Sequence, residues 1–132
     1  MGATLLSLVI LGLLILLHEA GHFVLARWAG VRVLRFSMGF GPRLLTWTRG
    51  HTEYALSLIP LGGYVKMAGE QREEHTQQPW EYLSKSIGMR TAIVFAGPFV
   101  NYLVSLLSLW AVFIIGYPEL RPTVGKLLEH MP

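Results

Sequence analysis

The sequence predicts an α-helical membrane protein: two transmembrane helices joined by a small membrane-associated antiparallel β-region. Three observations predict it. An apolar run opens near the N-terminus and is free of charge from Ala3 to Leu17, and a second charge-free run covers Thr91–Tyr117. Between them lie β-rich segments punctuated by Gly and Pro, and this middle stretch holds nine of the eleven Lys and Arg. At 132 residues, 52% of them hydrophobic, the chain has room for one small domain. It has no cysteine, which excludes disulfides, thiolate metal sites and cysteine nucleophiles. The net charge of +3 is interspersed with turns and lacks the clustering of a nucleic-acid surface, so no nucleic-acid partner is expected.

The first span is expected at 4–26, 23 residues that as a helix cover ~34 Å and cross a bilayer. No Lys or Arg precedes it and no small-residue cleavage site follows, which argues against a secretory signal peptide. Ser7 falls on nearly the same face as His18, a weakly polar stripe expected to turn into protein. Near the end of the span stands His18-Glu19-Ala20-Gly21-His22, an HExxH motif. His18 and His22 are four apart, so on a helix both imidazoles lie on one face and can share a metal ion. Glu19 shares their half of the circumference without stacking on them, where a general base is needed to take a proton from a metal-activated water. Ionisable groups are expensive within a span, which makes a purely structural role for the three a poor account of Glu19.

Arg27–Arg90 is expected in the cytoplasm, with the N-terminus outside, because the basic residues concentrate there and none precedes the first span. Within it 31–67 reads as short strands: Val31–Ser37, Arg43–Thr48, Tyr54–Ile59 and Tyr64–Met67, broken by turns at Gly39–Pro42, Arg49–His51 and Pro60–Gly63. Phe36, Phe40, Leu45, Trp47 and Ile59 exceed what a small solvated sheet needs, so the sheet is expected to dip into the membrane beside the motif. Gly69–Ser86 reads as a polar surface connection, with His51 and His75 solvated and Trp80 and Tyr82 as interface anchors.

The second span is expected at 91–117, kinked or started at Pro98. Gly97, Asn101, Ser105 and Ser108 form a small or polar face that should pack on the first helix. Residues 118–132 read as the opening of a further domain on the outer side.

In combination these motifs resemble the site-2 protease family of intramembrane zinc metalloproteases, its bacterial anti-sigma-factor-cleaving branch most of all. His18–His22 resembles its metal motif, and Phe36–Pro42 and Ile59–Met67 its membrane-associated β-region. Ala96–Asn101 resembles the start of its second span, and Arg121–Gly125 the entrance to its periplasmic PDZ region. The resemblance implies a multi-pass protein of the bacterial inner membrane, its active site near the cytoplasmic face, with zinc as cofactor and membrane lipid around it. It implies hydrolysis of a peptide bond in or near the transmembrane helix of a protein substrate such as an anti-sigma factor. His18 and His22 would be ligands and Glu19 the base. An exposed strand edge would hold the substrate extended, with Tyr54, Leu56, Leu58, Gly62, Gly63 and Tyr64 beside it. Asn101 would be either helix glue or a substrate contact.

The family takes its third ligand from an Asp of a Leu-Asp-Gly motif on a later span, and this sequence contains no Asp. The expectation is therefore an incomplete N-terminal portion, inactive alone, whose partner is the remainder of the protease with its PDZ region and later spans. A di-iron or similar oxidase is excluded by the scatter of the five histidines. A catalytically inactive membrane module that keeps the protease fold stays open.

Overall fold

The computed structural model describes residues 2–116; the domain expected at 118–132 lies outside the described residues. In chain order it comprises α1 (Gly2–Trp28), β1 (Val33–Arg49), β2 (Thr52–Met67), two 3₁₀ turns (Arg72–Glu74 and Tyr82–Ser84) and α2 (Ile87–Ile115). Both helices are long and apolar enough to cross a membrane, and the most apolar 18-residue window of each is fully unburied within the chain.

α1 runs two residues beyond each expected end. It stops in a Schellman turn: Val31 N–H donates to the Ala26 carbonyl at 2.9 Å and Gly30 N–H to Arg27 at 3.0 Å. Gly30 takes the left-handed conformation (φ +71°) that this turn requires. The accompanying apolar contact lies in the core, where Ala26, Val31, Val33, Met67 and Ile93 are buried with Phe23, Val65, Tyr82 and Met89 around them. That small core ties the C-terminal end of α1 to the sheet and to α2. Ser7 is exposed and donates to its own helix at the Ala3 carbonyl, 2.9 Å, so it does not turn into protein. A hydroxyl surrounded by apolar neighbours finds its nearest acceptor one turn back.

The four expected strands are two long strands, each bent in its middle. β1 and β2 pair as an antiparallel two-stranded sheet with repeated register shifts. Residues 35–38 are matched on both sides, by Glu53–Leu56 on one and by Gly63–Lys66 on the other; 45–49 then pair with 52–56. Gly39 and Gly62 allow the bends. Both have positive φ (+83° and +102°), and a side chain at either would collide, with the Ile59 carbonyl and the Phe40 ring respectively. The double pairing overturns the expectation that Tyr54 and Leu56 lie on a free edge. Tyr54 faces Phe36 and Trp47, and Leu56 faces Met38 and Leu45. The 54–56 stretch has a strand on each side, so the edges are instead Gly63–Met67, beside α1, and Arg43–Arg49.

Met38, Ile59 and Leu61 line a groove with Leu5, Leu8, Leu13 and Leu16 of α1, so the groove runs along the helix from about half a turn to about three and a half turns before the HExxH motif. Its tip is apolar and exposed at Phe40, Leu44, Leu45 and Leu58.

The 68–86 segment is more ordered than a polar connection suggests. Glu81 is only 4% exposed and accepts from the Thr76 and Gln78 N–H groups and the Thr76 hydroxyl. His75 Nδ1 lies 2.7 Å from the same carboxylate, so His75 is not free in solvent. Trp80 carries the Arg32 guanidinium on its ring, 4.0 Å from the centroid, and Tyr82 belongs to the core. α2 begins at Ile87, four residues early, because the Ser86 hydroxyl caps it by accepting from Met89 N–H at 3.3 Å. The helix continues through Pro98 and does not start there. Ser105 and Ser108 are exposed, so only the Gly97–Asn101 part of the expected face meets α1.

Candidate metal centre

Two ladders of four-residue spacing meet where α1 crosses α2. On α1 they are His18 and His22; on α2 they are Ile93, Gly97 and Asn101. His22 Nδ1 lies 2.8 Å from the Ile93 carbonyl and His18 Nδ1 lies 3.2 Å from Asn101 Nδ2, which makes the helices antiparallel at the crossing. Close approach is possible because two side chains are missing. A Cβ on Gly21 would lie 2.6 Å from the Ala96 carbonyl oxygen. A Cβ on Gly97 would lie 2.7 Å from His18 Nε2 and would collide with His22 Nε2.

That second observation shows the two imidazoles packed against Gly97, where only a glycine leaves them room. With both Nδ1 atoms occupied by α2, both Nε2 atoms remain for a metal, and the rings stand edge to face at 4.8 Å. Two imidazole nitrogens side by side on one helix face suit a tetrahedral cation with nitrogen ligands at about 2.0–2.1 Å. A carbonyl only accepts, so His22 Nδ1 carries the hydrogen and its Nε2 keeps a lone pair for the ion. The residues present therefore fit two ligands of a zinc site. Among the described residues no group of three His, Cys, Asp or Glu is arranged to hold a metal.

Glu19 is half-buried beside this pair. The Val65 backbone N–H is turned to its carboxylate, and its Cγ lies 3.5 Å from the position a Gly63 Cβ would take. The edge of the sheet thus runs directly past the acid. A cavity of about 260 Å³ lined by Glu19, His22, Val65, Met67, Glu70 and Tyr82 leads from the motif towards the polar segment. A larger apolar groove on the crossing, lined by Leu17, Val24, Phe95 and Phe99, contains none of the motif's polar groups.

Of the residues marked in the sequence, His18, Glu19, His22, Asn101 and Gly63 come together. Tyr64 pairs with Ser37, and its hydroxyl accepts from Arg35 at 3.2 Å. Gly62 sits under Phe40, Leu58 is exposed, and Tyr54 and Leu56 are interior to the sheet. Sequence reasoning missed the Ile93 carbonyl, the Val65 N–H, Glu70 and the role of Gly97. The four-residue spacing of Ile93, Gly97 and Asn101, matching that of the histidines, was the available signal; backbone groups leave none.

The family model for peptidase family M50 matches residues 6–131. The regulator of sigma-E protease RseP of Escherichia coli (strain K12) is 49% identical over 128 residues, covering 93% of this chain and 28% of the relative. Protease RseP of Yersinia pestis is 49% identical over 123 residues, 91% of this chain and 27% of the relative. A putative zinc metalloprotease of Vibrio cholerae is 44% identical over 128 residues, 93% of this chain and 28% of the relative. The chain thus spans little more than a quarter of the length of these relatives. Two exposed apolar helices and relatives of this kind describe a membrane-bound protein. The helical HExxH, its partner helix and the match over nearly the whole sequence lead to one conclusion: the chain belongs to peptidase family M50, the site-2 proteases.

Proposed function

We propose that this chain supplies the water-activating part of an intramembrane zinc metalloprotease that cleaves peptide bonds in or near transmembrane segments of protein substrates, anti-sigma factors among them. The observation that carries it is the pairing of His18 and His22 against Gly97, with both Nδ1 atoms held by α2, both Nε2 atoms left for a metal and Glu19 alongside. Zinc, when bound, supplies Lewis-acid activation of a water. His18 and His22 hold the ion, and an Asp from another part of the protein completes the site, as the family resemblance implies. The Glu19 carboxylate takes the proton from the attacking water and returns it to the departing amide nitrogen. A helical substrate hides its carbonyls in its own hydrogen bonds, and the Gly63–Val65 edge offers backbone partners to a substrate strand drawn out of helix. The cavity past Glu70 admits water from the polar side.

The depth of the sheet along α1 supports its dipping into the bilayer. The nine basic residues between Arg27 and Arg90 support a cytoplasmic middle segment in a bacterial inner membrane, with the N-terminus outside. A second reading is an inactive membrane module with the protease fold.

The test exchanges this chain into the Escherichia coli relative in place of the matching 128 residues. The chimera should cleave a model transmembrane substrate. Glu19→Gln should abolish cleavage while zinc stays bound, and His18→Ala or His22→Ala should lose both. Cleavage by the Glu19→Gln chimera at the parental rate refutes the general-base role, and a zinc-loaded chimera without any cleavage favours the inactive module.

A further inference from the structure

The two histidines of the motif are not held alike. His22 Nδ1 faces a backbone carbonyl, which fixes one tautomer. His18 Nδ1 faces the side-chain amide of Asn101, which offers a donor on one side and an acceptor on the other. The donor, Nδ2, lies 3.2 Å from Nδ1, an arrangement suited to the His18 tautomer with its hydrogen on Nε2. Asn101 Oδ1 is buried and has no hydrogen-bond partner among the described residues. A half-turn of the amide exchanges the two atoms. The number of bonds does not change, but Oδ1 then accepts from Nδ1–H and the lone pair moves to Nε2, the ring nitrogen left for a metal.

We propose that Asn101 is the positioning residue of His18: it holds the ring through Nδ1 so that Nε2 is left for the metal, and its amide reverses when the cation binds. The inference rests on the metal reading of His18 and His22 given above. Asn suits this place because it serves both tautomers, whereas a carboxylate would only accept and would fix the metal-ready one. Plain helix glue explains a hydrogen bond between α1 and α2. It does not explain why the bond falls on the one ring nitrogen whose partner decides the tautomer. Outer partners of this kind alter metal affinity by about 10–100-fold.

The experiment titrates Zn²⁺ into the purified chimera described above, in detergent, by competition with a chromophoric chelator. Wild type is compared with Asn101→Leu, Asn101→Asp and His18→Ala, and the imidazole ¹⁵N shifts of His18 report its tautomer. Asn101→Leu should weaken zinc by about 10–100-fold, with the apo His18 ring distributed over both tautomers. Asn101→Asp should bind at least as tightly as wild type, with Nδ1 already protonated before metal is added. Equal zinc affinity in wild type and Asn101→Leu, with only a lower melting temperature, would reduce Asn101 to helix glue and overturn the inference while leaving the metal reading intact. Should the Leu variant not fold, weaker binding by Asn101→Asp overturns it instead. A wild type that binds zinc no better than His18→Ala would overturn the metal reading and this inference together.

Discussion

The α1–α2 crossing and the polar segment 68–86 meet at one small core, yet they are held together by opposite means. At the crossing contact comes from side chains that are missing: Gly21 lets the Ala96 carbonyl approach, and Gly97 makes room for two imidazoles. In the polar segment contact comes from a charge: the buried Glu81 carboxylate gathers Thr76, Gln78 and His75 around itself. The difference follows the surroundings. Between apolar helices in lipid there is no hydrophobic gain from helix contact, so close backbone approach and a few hydrogen bonds must do the holding. Where water competes, an ionised carboxylate with several donors can organise a loop that has little apolar surface to bury. Gly69 joins the two styles, since a side chain there (φ +60°) would collide with Glu81.

The sharpest way to break this contrast is at Gly97. Gly97→Ala adds only a methyl group, and at an unconstrained helix position it would stabilise by about 1 kcal/mol. Here the methyl would collide with both Nε2 atoms and displace the two rings, so zinc content of the chimera should fall to background and cleavage with it. Gly88 lies in the same helix with nothing within 4 Å of its missing Cβ, and Gly88→Ala should leave zinc content unchanged. Equal zinc content in both variants would show that the space at Gly97 has no special use.

A smaller effect is expected in the polar segment. Glu81→Gln replaces one accepting oxygen by a donor that faces other donors, so exchange protection of the Thr76 and Gln78 amides should drop while zinc content holds. The same network predicts a pH dependence. The Thr76 hydroxyl above all, then the Thr76 and Gln78 N–H groups and His75, hold the Glu81 carboxyl below its ordinary value of 4.5, against the opposing effect of desolvation. Its stabilising contribution is therefore fully present above pH 4.5 and is lost as pH falls through the lowered folded value. Protection factors of those amides, corrected for intrinsic exchange, should decline in that window in the wild type and stay flat in Glu81→Gln.

The smallest effect sharpens the same point. Lys66 and Glu74 form a 2.9 Å ion pair with both side chains about 40% exposed (40% and 38%). Lys66→Ala should change melting temperature little, in keeping with about 0–1 kcal/mol for exposed pairs. An effect as large as that of Glu81→Gln would mean that burial is not what distinguishes the two carboxylates.

What the sequence determined by itself is what local spacing determines. Histidines four apart share a helix face wherever the helix goes, and charge-free runs of this length remain apolar helices. Gly and Pro clusters marked the bends at Gly39–Pro42 and Pro60–Gly63. Only the tertiary structure decided which segments those bends bring together. Residues 54–56 pair with 36–38 on one side and 45–47 on the other, so Tyr54 and Leu56 lie inside the sheet and Gly63–Met67 forms one of its edges. Alternation of side chains is the same in an interior and an edge strand, and cannot tell them apart. Asn101 looked equally suited to gluing helices or touching substrate until it stood 83 residues away in sequence, and 3.2 Å away in space, from His18. Glu81 read as a surface charge because burial of a carboxylate depends on donors that the backbone of its own loop supplies. Gly97 read only as part of a small face meant for the first helix, because which side chains a glycine makes room for is defined by what surrounds it. Periodicity is written along the chain; partners are chosen by distance in three dimensions, and those choices carry the chemistry of this site.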